Sequence, residues 1–339
     1  MNQSHVTIRD VAARAGVSHQ TVSRVINESD RVNPETRARV EAAIAEMGYR
    51  PNAIARFMSN GRTRTLACLS PNLTDYTFAS IIEGAETEAR QHGYFFISAT
   101  APDEASFTLL IEELIASRRT EGMIVINPFI DERSTLIPKG VKAVLLGARP
   151  RSEQFDSVSL DGQAAGQLAV QHLIDLGHHS IAHITGPLRE DCSQDRCTGY
   201  ETALLVAGIK PDPTLIRAGD WSATSGFEVV SQLLQQKTYF TALFAQNDRM
   251  AVGAIRGLRE AGKRVPEDVS VIGFDDMPLA SYFDPALTTM HQDTFTMGRL
   301  AASLLVHAVE QQDESRKHLR LPAELVVRSS TAAIKAILP

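Results

Sequence analysis

The sequence predicts two folds in one chain: an N-terminal all-α head and an α/β core of parallel sheets in two lobes. Three observations carry this. Short amphipathic helical segments with capping residues at both ends fill residues 6–48. From Thr65 onward, apolar runs alternate with amphipathic helical segments. Charge divides at the same place: residues 1–64 hold ten Arg, no Lys and six acidic residues, a net +4, and the remainder carries −10. A basic head on an acidic body is the footprint of a polyanion-binding module attached to something else.

The head begins with Val6–Asn27, VTIRDVAARAGVSHQTVSRVIN, which reads as two short helices joined by a tight turn. Thr7 caps the first, Asp10 completes the cap three residues later, and Ile8, Val11, Ala12 and Ala15 form the inward face. Gly16 supplies the permissive backbone of a sharp helix exit. Ser18 caps a second helix with Val22, Val25 and Ile26 inward, leaving His19, Gln20, Ser23 and Arg24 on the outer face. A third helix has Asn33 as its cap, Pro34 in first position, an apolar stripe of Val40, Ala43, Ile44 and Met47, and Gly48 as its stop. A helix-turn-helix of this form places the opening turn of its second helix against base edges in the major groove, with nearby hydroxyls and arginines on phosphates. The alternative is a three-helix bundle with no nucleic-acid role, and the charge division argues against it.

Arg50–Arg64, RPNAIARFMSNGRTR, follows as a hinge. Pro51 and Gly61 bracket about two turns of helical potential from Asn52 to Ser59, too short to be stable alone. The segment is expected to order on DNA, where Ile54, Phe57 or Met58 supplies an apolar wedge for the minor groove; packing on a neighbouring domain is the alternative. The core then runs LACLS, a helix over 78–92, YFFISA, another helix, GMIVIN, KAVLLG, SVSLD, a helix ending at Gly177, and SIAHITG. It continues with a helix through Tyr200, TALFAQ, a helix through Gly262, and VSVIGFDD. Strands alternating with helices imply parallel sheets covered on both faces, and their number implies two similar halves. A small polar ligand is expected in the cleft between them, at the carboxyl ends of the strands.

At 339 residues, 43% hydrophobic and 22% charged, the chain is globular rather than disordered. No apolar run reaches the roughly 18 residues of a membrane span, and the N-terminus carries no export signal, so a cytoplasmic location is expected. Cys68 lies in an apolar strand as a buried small hydrophobe. Cys192 and Cys197 are open to pairing or, as the cytoplasm favours, to remaining reduced. His178, His179 and His183 resemble a metal cluster on paper, but strand alternation separates them. No metal or cofactor is expected. Asp275-Asp276 invites an acid/base reading, yet no nucleophile or phosphate loop accompanies it, so no catalytic residue is assigned.

The head motif, the hinge YRPNAIARFMSNGRTRT, and the core segments IDLGHHSIAHITGP, NDRMAVGAIRGLREAGKRVPEDVSVIGFDD and LTTMHQD together resemble the LacI/GalR family of bacterial transcription regulators over essentially the whole length. The resemblance implies a helix-turn-helix domain over 1–49, a hinge over 50–64 and a periplasmic-binding-protein-like core over 65–339. Lobe one is then about 65–161 with 292–321, and lobe two about 162–291 with 322–339. It implies a homodimer on a pseudo-palindromic operator. The chain stops at Pro339 without a leucine-heptad tail, which favours a dimer over a tetramer. His19 and Gln20 fall at base-reading positions, Gln20 being suited to adenine. Thr7, Ser18, Thr21, Ser23, Arg24 and Asn27 fall at phosphate-holding positions, and Asn52, Ala55 and Met58 in the hinge complete the DNA-binding set. Met58 stands where the family most often has an intercalating leucine.

For the core, the resemblance implies effector contacts from Arg196, Asn247 and Asp275, whose guanidinium, amide and carboxylate suit vicinal hydroxyls. Trp221, the only tryptophan, is placed to stack on a sugar face, and Asp75, Phe78 and Asn127 stand on the side of the first lobe. Asp248 is read as the cap of its helix and Asp276 as structural. The implied function is a repressor of a carbohydrate-utilisation operon switched by a mono- or disaccharide. A purine or phosphoprotein corepressor is the alternative. A transport-type binding protein and a carbohydrate-active enzyme are the other classes weighed; the attached head argues against the first, and the second needs paired carboxylates across the cleft.

Overall fold

The computed structural model describes residues 6–26, 31–49, 62–147, 149, 152–311 and 315–334, in two compact units, Met1–Arg64 and Thr65–Pro339. Asn27, Asn52, Ala55 and Met58, and with them the hinge expectations, lie outside the described residues.

The head unit contains α1 (Ile8–Ala15), α2 (His19–Ile26) and α3 (Pro34–Met47). Thr7 and Asp10 form a reciprocal capping box: the Thr7 hydroxyl accepts from Asp10 N at 3.4 Å and Asp10 Oδ2 accepts from Thr7 N at 2.8 Å. Those bonds hold the Asp10 carboxyl below its usual range. Gly16 ends α1 at φ +66, a conformation an L side chain resists, and turns the chain into α2. Asn33 caps α3 through Thr36 N at 2.8 Å. Val11, Val22 and Val40, one from each helix, are fully buried together. A core this small gives α2 one fixed orientation on α1, which is what a reading helix needs.

The second unit is built from two six-stranded sheets. The first takes β1 (Thr65–Ser70), β2 (Phe95–Thr100), β3 (Gly122–Ile126), β4 (Ala143–Gly147), β5 (Asp156–Leu160) and, from far along the chain, β11 (His318–Leu321). The order is β11-β5-β4-β3-β1-β2 and every pairing is parallel. Helices α4 (Tyr76–Gln91), α5 (Glu104–Ser117) and α10 (Thr294–Glu310) belong to this lobe. The second sheet takes β6 (Ile181–Thr185), β7 (Ile216–Ala218), β8 (Ala242–Ala245), β9 (Ser270–Asp275), β10 (Thr288–His291) and β12 (Glu324–Val326). Its order, β12-β10-β9-β8-β6-β7, repeats the first, with β12 alone antiparallel. Helices α6 (Gly162–Asp175), α7 (Asp191–Val206), α8 (Ala223–Gln235) and α9 (Asp248–Glu260) cover it.

The chain passes between the sheets three times, after β5, after β10 and after β11. In each sheet the strand order reverses beside the first strand of the lobe, β1 or β6, the switch point where a crevice opens beyond the carboxyl ends of the strands. Strands β3, β6 and β8 are buried along their whole length, as strands covered on both faces must be. Cys68 is fully buried in β1, where burial pushes its thiol up to about 12. Cys192 and Cys197 are unpaired thiols. Leu305 is buried on α10, and Leu300 and Leu304 pack against the same core.

Candidate functional site

Two surfaces are candidates, one in each unit. On the head, α2 presents His19, Gln20 and Arg24 to solvent, with Thr21 and Ser23 half-buried beside them. Thr7 and Ser18 are exposed at the starts of α1 and α2. Ser18 Oγ accepts from Thr21 N at 3.2 Å and lies 3.0 Å from Thr21 Oγ1. Backbone N–H groups and hydroxyls at a helix start suit a phosphate.

Between the two lobes of the core lies a cavity of about 440 Å³. Its polar walls come from residues at or just past strand ends: Asp75 after β1, Glu190 and Arg196 after β6, Trp221 after β7, Asn247 and Arg249 after β8, Asp275 closing β9, and Gln292 after β10. Phe78 and Phe129 supply apolar wall from the first lobe. Arg196 is 5% exposed; its Nη1 donates to the Gln246 carbonyl at 2.6 Å and its guanidinium lies 3.5 Å from the Phe274 ring centre. Its Nε is buried without a partner, a donor a ligand is able to satisfy.

Trp221 sits at φ +72, and its indole lies directly on Gly186: a Cβ there would come within 2.1 Å of Trp221 Cζ2. The indole N–H donates to Glu190 Oε2 at 3.1 Å. Asn247 fixes the same loop, donating through Nδ2 to the Trp221 carbonyl at 3.0 Å. Its Oδ1 accepts from Met250 N at 2.8 Å, so Asn247 is the cap of α9, correcting the assignment to Asp248. Asp248 is structural in another way. Fully buried, it accepts from Thr289 Oγ1 at 2.6 Å and Met277 N at 2.8 Å, and burial raises its carboxyl to about 7.

Asp275 and Asp276 stand at φ +110 and +54, two consecutive strained residues at the end of β9. Side chains over-determine them: Gln292 donates to Asp275 Oδ1 at 2.7 Å, and Arg328 to Asp276 Oδ1 at 2.7 Å with His291 at 3.1 Å from Oδ2. Burial raises the Asp275 carboxyl well above its usual value, with Arg196 opposing. The lobes are tied across the cleft by Arg249 to Asp75 at 2.6 Å and Arg149 Nε to Asp195 at 2.9 Å. Backbone bonds from Ile130 N to Arg189 O at 2.8 Å and from Asp191 N to Pro128 O at 3.0 Å add to them.

Residues 7–52 match the family described as bacterial regulatory proteins, lacI family, and residues 170–331 match a periplasmic binding protein-like domain. The regulator CelR of Thermobifida fusca is 37% identical over 334 residues, covering 96% of this chain and 98% of its own. The HTH-type transcriptional repressor PurR of Vibrio atlanticus is 33% identical over 335 residues, covering 97% and 99%. The chain belongs to the LacI family. Among solved structures, a Lac repressor dimer bound to operator and the anti-inducer ONPF superposes with TM-score 0.89 at 32% identity, covering 97% of this chain and 100% of that one. A CelR–cellobiose complex superposes with TM-score 0.74 at 36% identity, covering 96% and 99%. LacI-family relatives are transcription repressors, not enzymes.

Within this LacI-family core, Asp75, Phe78, Arg196, Trp221, Asn247 and Asp275 line the cavity, but Asn127 does not. Its amide turns back on its own loop, donating to Asp131 Oδ1 and accepting from Phe129 N, both at 3.0 Å. Thr294 is buried against Ser80, with 2.8 Å between hydroxyls. His183 is stacked between Tyr200 and Phe244, and His178 bonds Thr241 and Ser270; they do not converge. Glu190, Arg249 and Gln292 line the cavity without having been singled out in the sequence. Gln246 lies outside that lining and was not singled out either, yet this fully buried amide accepts from Gly186 N at 2.9 Å and donates toward His183 at 3.0 Å and the Ser193 carbonyl at 3.1 Å. It braces the strand ends that carry Arg196, Trp221 and Asn247. The readable signal was position: each missed wall residue lies within five residues of the carboxyl end of a strand, Gln292 directly after β10, Arg249 four past β8 and Glu190 five past β6.

Proposed function

We propose that this LacI-family repressor binds a pseudo-palindromic operator as a cytoplasmic, nucleoid-associated homodimer and that a mono- or disaccharide in the interlobe cavity switches its grip on DNA. The domain assignment that goes with this reading is a head over 1–49, a hinge over 50–64 and an effector core over 65–339. Gln20 and His19 read base edges. Thr7, Ser18, Thr21, Ser23, Arg24 and Asn27 position the phosphates, and Asn52, Ala55 and Met58 act at the operator centre.

The observation that carries the effector half is the wall itself. A buried guanidinium with an unused donor, four carboxylates and an indole face converge on one cavity. Fixed donors and acceptors beside an aromatic plane match a ring that is apolar on its faces and hydroxylated at its edge. The relatives CelR and the ribose operon repressor, and the CelR–cellobiose complex, are in keeping with this. Occupancy changes how the lobes close, since Asp75–Arg249 and Arg149–Asp195 span them. DNA affinity changes only by the ligand's differential affinity for the two closures.

A thermal-shift screen of sugars on the full chain, followed by operator anisotropy with each hit, tests the reading. A sugar that raises Tm and weakens operator binding supports it. A purine that raises Tm and tightens operator binding replaces it with the corepressor alternative.

A further inference from the structure

Glu190 stands apart from the other acids of the core. It is 7% exposed, it lines the interlobe cavity, and it is the residue immediately before α7 without capping that helix through its side chain. Other acids of the core have strong partners: buried Asp248 has Thr289 and Met277 N, buried Asp195 has Arg149, and the half-buried Asp276 and Asp131 have Arg328 and Arg133. Glu190 receives one short bond, from the Trp221 indole, and a long approach from Cys192 Sγ at 3.9 Å. No Arg or Lys nitrogen lies within ion-pair distance of it among the described residues.

A carboxylate taken out of water and left short of donors is costly unless something completes its shell. Here the open side faces the cavity. The charged residues lining that cavity reinforce the consequence. Arg249 is paired with Asp75, and Arg196 gives one nitrogen to the Gln246 carbonyl and faces Asp275. Arg189 and Asp220 are exposed at the rim. The cavity wall therefore carries four carboxylates, Asp75, Glu190, Asp220 and Asp275, against three guanidiniums, Arg189, Arg196 and Arg249, so an incoming anion meets a net negative wall in which the Arg196 Nε is the one unpartnered buried donor among the described lining residues.

We infer that Glu190 is a specificity-determining residue that accepts a hydroxyl of the effector beside the Trp221 ring and confines the site to uncharged polyols, excluding phosphorylated and acidic sugars. The inference rests on the sugar reading above and narrows it. It assigns Glu190 two actions: its Oε2 fixes the indole plane, and its remaining lone pairs take the ligand. Burial also raises the Glu190 carboxyl above its usual value, in keeping with a group short of donors.

The test uses the full chain and quenching of its one tryptophan, Trp221. Neutral hexoses and disaccharides are titrated beside their 6-phosphates and uronic acids, on the parent and on Glu190→Gln. The amide keeps an acceptor for the indole but removes the charge. The expected result is binding of a neutral sugar with no binding of its phosphate or acid at a hundredfold higher concentration. In Glu190→Gln the neutral ligand is expected to weaken about tenfold while the anion gains. An unchanged Tm in Glu190→Gln separates ligand effects from folding, and Asp275→Asn is expected to weaken the neutral ligand without admitting the anion. Tighter binding of a phosphate or acid than of its neutral parent overturns the inference and leaves the sugar reading standing. No binding by any sugar, neutral or anionic, overturns both.

Discussion

Gly186→Ala is the most informative single change in the core. The new methyl would meet Trp221 Cζ2 at 2.1 Å and Ser193 Oγ at 2.5 Å, where ordinary contact is 3.4 Å or more. The backbone tolerates alanine there, since Gly186 is not among the positive-φ glycines. The conflict is therefore with the ring, which is about 1.3 Å too close. Trp221 must move by about that distance, taking the 3.1 Å bond to Glu190 beyond hydrogen-bond range. Overpacking costs about 1–3 kcal/mol, and the lost charge-assisted bond contributes at a similar level. Together these come to at least about 2 kcal/mol, which lowers Tm by at least about 4 °C for a unit of this size. The assay is intrinsic fluorescence with thermal melting. Gly186→Ala is expected to shift Trp221 emission to the red and to weaken effector binding by at least about tenfold. Unchanged emission and a Tm within about 1 °C of the parent would refute the claim that Gly186 seats the indole.

Other outcomes follow from the same geometry. His183, buried between two rings, titrates near 3 because burial disfavours its cation. Its folded value lies below the unfolded one, so its contribution is present above about 6.5 and lost as pH falls. His183→Phe should therefore lose about 2 kcal/mol less than the parent between pH 7 and 5 in urea melts. Gln246→Ala leaves Gly186 N and the Ser193 carbonyl without their partner, and should cost about 2–3 kcal/mol in denaturant titrations. In anisotropy with operator DNA, Gln20→Ala should relax discrimination at one base pair by about 1–3 kcal/mol. Arg24→Ala should instead weaken all sequences alike and reduce the salt slope by about one. Breaking Asp75–Arg249 by Asp75→Asn should cost no more than about 1 kcal/mol of stability, because Arg249 is 39% exposed. Its larger effect is expected on lobe closure, read as a change in small-angle scattering.

Much of the fold was legible because its signals are local. Caps such as Thr7 with Asp10 and Asn33 with Pro34 declare themselves within one helical turn, and both are in place. The alternation of apolar runs and amphipathic segments marked the core because buried parallel strands have no polar face. Short or edge strands were harder: β7 has three residues and no buried position, and β12 (Glu324–Val326) takes in only Leu325 and Val326 of the stretch LVVRSST. Site residues divide along the same line. Asn247 opens the segment NDRMAVGAIRGLREAGKRVPEDVSVIGFDD, and Asp275 stands one residue from its end. Arg249 and Gln292 lie within the family-like segments but meet partners 174 and 17 residues away, and Glu190 meets one 31 residues away, so the pairings themselves were not legible. Asn127 shows the converse, since a motif position after a strand end was overridden by a local turn to Asp131 and Phe129.

The coupling of cavity to reading head is tested most directly by one titration. A labelled palindromic operator is bound by the full chain at fixed salt, and its Kd is measured with the cavity empty and then saturated by a sugar that quenches Trp221. The account predicts a shift in Kd of at least about tenfold, as a coupling free energy of 1–3 kcal/mol requires. Identical Kd values at full quenching would contradict it.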